Sequence, residues 1–271
     1  MKKDRFQGKV ALVTGGSRGV GFAIAKQLLK SGAKVAITAR GTDRLEDSRE
    51  KLSQWGEVIA LQGDVGIWDD ARRMIEVSVQ HFGRLDILVN NAGLSMRGLF
   101  NDLGQSVIDD IVQTNLMGSI YLTRLAMPYI QSNQGQVIFI SSIAGLLGLP
   151  HGSIYCASKG ALRNFSDALR IELAPFGVHV GIVYLGFTEN DPEKRVIASD
   201  GSMVVSGRPA HHTQAQAAEL IVEMIAKRKR HIAMTPLGKL AYYLSRFFPY
   251  LVERLITFAR LRNWKIYKSF S

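Results

Sequence analysis

Tyr155 and Lys159 stand four places apart in the stretch YCASKG, residues 155–160. On a helix that spacing stacks both side chains on one face. A phenol and an ammonium are costly to desolvate together, so the pairing wants a reason. One reason is chemical: a neighbouring cation favours the phenolate and lowers a tyrosine pKa from about 10 towards working pH. Such a group can give up or take back a proton. The other reading is a Tyr–Lys pair on a solvated face, and the pair alone leaves both open.

A second group of residues could hold a phosphate. TGGSRGVG, residues 14–21, joins a β-branched run to an amphipathic run. Gly15, Gly19 and Gly21 allow a tight turn and close backbone approach, and a helix start beyond them offers free N–H groups and a positive dipole end. Next, the run KVAITAR, 34–40, ends in Arg40 and not in an acid. An acid there would hold ribose hydroxyls and repel a ribose phosphate, whereas Arg40 and Arg18 would grip that phosphate with matching geometry. NADPH is therefore favoured over NADH. Two solvent-facing arginines are the plainer alternative.

These groups need a scaffold, and the pattern supplies one. Strand-like apolar runs at 9–15, 34–38, 57–64, 85–93, 136–142 and 178–186 alternate with helical patterns at 19–32, 43–54, 68–82, 106–132 and 153–177. Strands followed by helices predict a Rossmann-type α/β fold: a doubly wound parallel sheet, with strands apolar on both faces. Residues 186–212, polar and rich in Gly and Ser, read as a mobile loop. The chain divides into a main domain, 1–234, and a C-terminal extension, 235–271.

Composition narrows the chemistry. At 271 residues there is room for one large α/β domain. The single cysteine, Cys156, excludes an internal disulfide and a thiolate metal cluster, and no metal site is expected. No signal-like core precedes the first strand and no apolar run is long enough to span a bilayer, so a cytoplasmic location is expected. The net charge is +11, but residues 227–271 hold eleven Lys/Arg against Glu253 alone. The body is close to neutral.

With these motifs in hand, the chain resembles the classical short-chain dehydrogenases/reductases over about residues 7–235. TGGSRGVG (14–21), GDV (63–65), NNAG (90–93), TN (114–115), ISSIAG (140–145) and YCASKG (155–160) carry the resemblance, in the family's order. It implies a catalytic set of Asn115, Ser142, Tyr155 and Lys159. Tyr155 would protonate a carbonyl oxygen, Ser142 would orient it, Lys159 would bind the nicotinamide ribose and support the phenolate, and Asn115 would hold a water linking Lys159 to solvent. Ser141 would be structural. It also implies cofactor contacts from the first turn (Gly15, Ser17, Arg18, Gly19, Val20 and Gly21), from Arg40, and from Asp64 with Val65 at the adenine. Asn91, Ala92 and Gly93 would line the adenosine side. After the sixth strand, Gly186 and Thr188 would lie near the carboxamide. There the chain departs from the family pattern: Leu185 replaces a proline and Asn190 a threonine.

The substrate side is apolar. LLGLPHG, 146–152, would wall the pocket, with His151 its one polar side chain, and Met96, Leu99, Phe100 and Leu146 are further candidates. Cys156 reads as a small core residue. An apolar carbonyl or alcohol substrate, steroid- or lipid-like, follows, with a ketoacyl-thioester reductase and a catalytically idle NADP-binding scaffold as alternatives. A homodimer or homotetramer is common in the family. The extension reads as two amphipathic helices hinged at Pro249, on Leu237, Leu240, Leu244 and Phe247 and then Leu251, Leu255 and Ala259. It either contacts a membrane surface peripherally or packs on the body. No nucleic-acid motif is present, and none is expected as partner.

Overall fold

The computed structural model describes residues 4–189, 195–205 and 212–262, with backbone only at 236 and 237. Asn190 and the chain beyond 262 lie outside the described residues, as does the Leu237 side chain.

In chain order the elements are β1 (Val10–Thr14), α1 (Gly19–Lys30), β2 (Lys34–Ala39), α2 (Thr42–Ser53), β3 (Val58–Gln62), α3 (Trp68–Phe82), β4 (Ile87–Asn90) and β5 (Met96–Arg97). Then come α4 (Gln105–Val112), α5 (Gly118–Ser132), β6 (Gln136–Ser142), α6 (Ser153–Glu172) and β7 (His179–Leu185). The last are β8 (Arg195–Ala198), β9 (Met203–Val205), α7 (Gln214–Ala226), β10 (His231–Ala233), α8 (Pro236–Phe247) and α9 (Pro249–Leu261).

Seven strands form one parallel sheet in the order β10-β7-β6-β4-β1-β2-β3. Alternate residues of each strand feed two cores. Ala11, Val13, Val35, Ile37, Val89 and Ile140 face α1, α2 and α7, while Leu12, Ala36, Leu88, Phe139 and Tyr184 face α3, α5 and α6. Burying one large side chain of this kind contributes about 1.5–3 kcal/mol, so the double-sided sheet is the stable platform. Strand order reverses between β1 and β4. Chains leaving those two strands diverge, and a crevice opens at their C-terminal ends.

Four features of the fold differ from the sequence pattern. The expected helix over 106–132 is interrupted at Gln113–Met117 by a wider π-type turn, which carries Asn115 to a fully buried position. The helix from Ser153 stops at Glu172, because Pro175 and Gly177 (φ +68°) close it with one 3-10 turn. The span read as a mobile loop holds β8 and β9, which join β5 in a small second sheet. Finally, β10 pairs with β7 over only three residues, too short a run to show a period.

His179, at the start of β7, ties that strand to the approach to β10: its Nε2–H donates to the Lys229 carbonyl at 3.1 Å. Burial pushes its imidazole from 6.5 down to about 4, the hydrogen bond opposes this, and Arg228, Arg170 and Arg230 reinforce it. An unfolded chain therefore takes up a proton between those two values that the fold refuses, so the His179 contribution is complete above pH 6.5 and is lost as pH falls through about 4. In urea titrations across that window, the unfolding midpoint is expected to fall with pH, and His179→Gln to flatten the fall.

Candidate active site

The glycine turn borders the crevice. Gly15 (φ +63°) and Gly19 (φ +60°) adopt left-handed backbone that other residues resist. A Cβ on Gly21 would sit 2.2 Å from the Gly15 carbonyl oxygen, so the first turn of α1 is packed directly on the loop. Ser48 Oγ donates to the Ser17 carbonyl at 2.7 Å and pins the loop to α2, while Val20 packs against the core. The first turn of α1 has no acid and no side-chain cap, so its N–H groups are available to an anion. Arg18 is exposed beside it.

Across the crevice, Thr14 Oγ1 accepts from the backbone N–H groups of both Asn91 (2.9 Å) and Ala92 (2.8 Å). Asn91 Nδ2 donates to the Thr14 carbonyl at 2.7 Å. These bonds hold the ends of β1 and β4 together at the switch point. Thr14 is thus a positioning residue beyond the expected set; its only sequence signal is its place at the strand end. On the far side, Asp64 Oδ1 accepts from the Gly66 N–H at 2.8 Å and Val65 is buried beneath. Asp70 orders the same turn by accepting the Asp64 N–H, and that bond, then Arg73, lowers its carboxyl below the usual range. Arg40 Nη1 lies 3.7 Å from Asp64 Oδ2, a contact of two solvated side chains that contributes about 0–1 kcal/mol. The guanidinium can leave it readily.

Tyr155 and Lys159 share a face of α6, as the spacing predicts. Lys159 is 5% exposed. Its Nζ donates to the Ile140 carbonyl at 2.9 Å, and the Lys159 carbonyl accepts from Ser141 Oγ at 2.8 Å. Ser141 is structural, as expected. A Cβ on Gly145 would lie 2.7 Å from the Lys159 carbonyl oxygen, so α6 rests on the turn that leaves β6. Asn115 Oδ1 accepts from the Leu94 N–H at 2.7 Å, and its Nδ2 donates to the Leu94 carbonyl at 3.0 Å and to Ser158 Oγ at 3.1 Å. Ser158 Oγ in turn donates to the Tyr155 carbonyl at 2.9 Å, a link that sequence reading missed.

Gly93 brings the two halves together. A Cβ there would lie 3.1 Å from Asn115 Oδ1 and 3.2 Å from Lys159 Nζ. Asn115, Lys159 and the loop after β4 therefore converge beside the crevice. Ser142, at the end of β6, is half-buried and its Oγ accepts the Ala144 N–H at 3.2 Å, leaving its own hydrogen to donate.

Around this centre, Tyr155 packs with Leu94, Leu103 and Ile154 against a small core of Met96, Val107, Ile111 and Ile197. Met96 is thus a core residue, whereas Leu99 and Phe100 are exposed. Loop 144–149 with Ser153, Cys156 and Ala157 encloses an open cavity of about 470 Å³. Cys156 is half-buried there, with Sγ accepting from the Leu149 N–H at 3.4 Å, and so is not the core residue expected. His151 has left-handed backbone (φ +61°), and its carbonyl accepts from the Gly98 N–H. Burial, then Arg260, then Arg97 lowers its imidazole pKa. Gly186 abuts Thr235, Leu185 pairs with Ser142, and Thr188 bridges His212. Among the described residues, no group of three or more metal-ligating side chains occurs.

The C-terminal segment is two helices broken at Pro249, as predicted, and α8 is docked on the body. Thr235 Oγ1 caps it by accepting the Gly238 N–H at 2.8 Å, and Gly238 sits against Ile143. Tyr242 stacks on His231 (4.8 Å) and meets Tyr184, with Arg163 of α6 over its ring at 5.9 Å. No helix among the described residues is long and apolar enough to cross a membrane.

A glycine-lined crevice at the switch point of a doubly wound sheet defines a dinucleotide-binding class of protein, and the free N–H groups, the Gly21 and Gly93 approaches and the nearby arginines suit a nicotinamide dinucleotide. Residues 9–200 match the family model for short chain dehydrogenase. An 11-beta-hydroxysteroid dehydrogenase-like 4A from Arabidopsis thaliana is 35% identical over 257 residues, covering 93% of this chain and 84% of its own. An 11-beta-hydroxysteroid dehydrogenase 1A from the same plant is 33% identical over 262 residues, 92% and 75% of the two chains. A short chain dehydrogenase from Burkholderia cenocepacia J2315, solved in complex with NADP, superposes with a TM-score of 0.75 at 30% identity over 85% of this chain and 97% of that one. This chain belongs to the short-chain dehydrogenase/reductase family. It is an NAD(P)-dependent oxidoreductase of that family.

Gly21→Ala is expected to weaken dinucleotide binding at least tenfold and to destabilise the fold by about 1–3 kcal/mol through overpacking against the Gly15 carbonyl. Fluorescence titration with NADPH and thermal melting would measure the two effects.

Proposed function

We propose that the protein is an NADP(H)-dependent carbonyl reductase or alcohol dehydrogenase for an apolar, steroid- or lipid-like substrate. The observation that carries this reading is the meeting of Lys159, Asn115 and Gly93 beside the glycine crevice, with Tyr155 on the same face of α6. When bound, the reduced nicotinamide supplies a hydride to the substrate carbonyl carbon. Tyr155 donates its hydroxyl proton to the oxygen on which charge gathers, and Ser142 Oγ–H hydrogen-bonds the same oxygen and orients it. Lys159, buried and positioned by β6, supports the phenolate left behind and holds the ribose. Asn115 Oδ1 retains capacity for one more donor, which suits a water linking Lys159 to solvent. In the opposite direction the phenolate is the base and an alcohol is oxidised.

The preference for NADP(H) rests on Arg18 and Arg40, with no acid at the end of β2, and is supported by the NADP bound in the Burkholderia neighbour. Gly15, Ser17, Gly19, Val20 and Gly21 would approach the phosphates, Asp64 and Val65 the adenine, and Asn91, Ala92 and Gly93 the adenosine side. Gly186 and Thr188 would lie at the carboxamide. The apolar substrate class is supported by the surroundings of Tyr155 and by the hydroxysteroid dehydrogenase names of the relatives. We also infer a homodimer or homotetramer in the cytoplasm, and peripheral contact of the C-terminal extension, 235–271, with a membrane.

Tyr155→Phe is expected to lower kcat by about 10²–10⁴-fold while NADPH affinity stays within twofold. A screen of NADPH consumption over apolar ketones and aldehydes measures this, and NADPH binding without turnover on any carbonyl would point to a scaffold. Arg40→Ala is expected to weaken NADPH by about tenfold, near 1.4 kcal/mol, and NADH by much less. Equal losses for the two cofactors would remove the phosphate-grip explanation.

A further inference from the structure

Both C-terminal helices carry two apolar stripes, and the fold uses one of them. On α8, Gly238, Ala241, Tyr242 and Ser245 face the body. On α9, Val252, Ile256 and Ala259 are the covered stripe. The second stripes are Leu240, Tyr243 and Phe247, opposite the covered face of α8, and Leu251, Leu255 and Phe258, beside the covered stripe of α9, and all six are exposed. Each set follows i, i+3 or i+4, i+7 spacing, so each is a continuous line along its helix. A helix that only covered the body would carry polar residues there.

Charge says what the second stripe meets. Lys239, Arg246, Arg254, Arg260 and Arg262 are exposed along the same two helices, against Glu253 alone. Aromatic and leucine side chains beside cations are the composition of a helix lying in the headgroup region of an anionic bilayer. Neither helix is long or apolar enough to cross. The two helices also lie close to the site. Gly238 of α8 touches Ile143, one residue after Ser142, and Arg260 of α9 is close enough to His151 to lower its imidazole pKa, together with burial and Arg97.

We propose that the exposed face of α8 and α9 docks on an anionic lipid bilayer and seats the mouth of the active-site cleft against it, so that an apolar substrate passes between lipid and cleft without crossing bulk water. The bilayer contact stands on the two stripes alone. The substrate route rests on the carbonyl reductase reading above.

The test is co-sedimentation of the full chain, without cofactor or substrate, with vesicles of phosphatidylcholine alone or mixed with phosphatidylglycerol. The wild-type chain is expected to bind the mixed vesicles at least tenfold more tightly than the neutral ones, and to be released by high salt as surface electrostatics are screened. Leu251→Glu with Leu255→Glu is expected to abolish binding and to leave NADPH affinity unchanged. Arg246→Glu with Arg254→Glu is expected to lose the preference for the anionic vesicles. Failure to bind mixed vesicles, or unaltered binding by the leucine pair, would overturn the proposal. So would a wild-type oligomer that the leucine pair dissociates in light scattering while vesicle binding is absent, which would assign the face to a second copy. An activity arm with an apolar ketone dissolved in the vesicles separates the route: the leucine pair should slow that substrate and spare a water-soluble carbonyl. Retained vesicle binding with no turnover of either ketone would sink the enzyme reading and the route while leaving the docking surface standing.

Discussion

The docking of α6 on the end of β6 is the constraint on which the site depends. Two hydrogen bonds run in opposite directions across it: Lys159 Nζ to the Ile140 carbonyl, and Ser141 Oγ to the Lys159 carbonyl. Gly145 removes the side chain that would hold the two elements apart. A buried ammonium is tolerated only with hydrogen-bond partners, so the pairing locks one rotamer of Lys159 and one height of α6. Tyr155, one turn earlier, inherits its place from that lock. Because β6 belongs to the central sheet, the geometry of the pair is set by the most rigid part of the molecule.

The crevice obeys a similar logic. β1 and β4 lie side by side in the sheet but send their chains in opposite directions, which opens a gap at their C-terminal ends. Thr14 and Asn91 close the base of that gap with three hydrogen bonds among them and Ala92. The glycines then keep the walls bare, so that backbone N–H groups and the start of α1 face inward. In the proposed reading, selectivity between the two dinucleotides falls to exposed side chains at the rim, Arg18 and Arg40.

The C-terminal segment joins these two scales. Tyr242, between His231, Tyr184 and Arg163, holds α8 on the body near the substrate side of the cleft. With α9 it presents one covered side and one exposed apolar side.

Much of this was legible in the chain itself. The parallel sheet followed from six apolar runs alternating with helical periods, because both faces of such a strand are buried and the run shows no polar interruption. Tyr155 and Lys159 were paired by helical spacing, the glycine turn by its place between strand and helix, and the break at Pro249 by proline's missing N–H. Sequence did not reveal the π-type turn that buries Asn115, since its type depends on one extra backbone residue and not on a period. It also left β8, β9 and β10 unread, because strands of three or four residues exist only through their partners. Nor could it show that Ser158 and Thr14 join the site, that Gly93 meets Asn115 and Lys159, or that Met96 is core while Phe100 is not. Those contacts link residues dozens of positions apart, and local pattern carries periodicity and backbone preference but no distances. Tertiary structure alone decides which well-formed elements come to face one another.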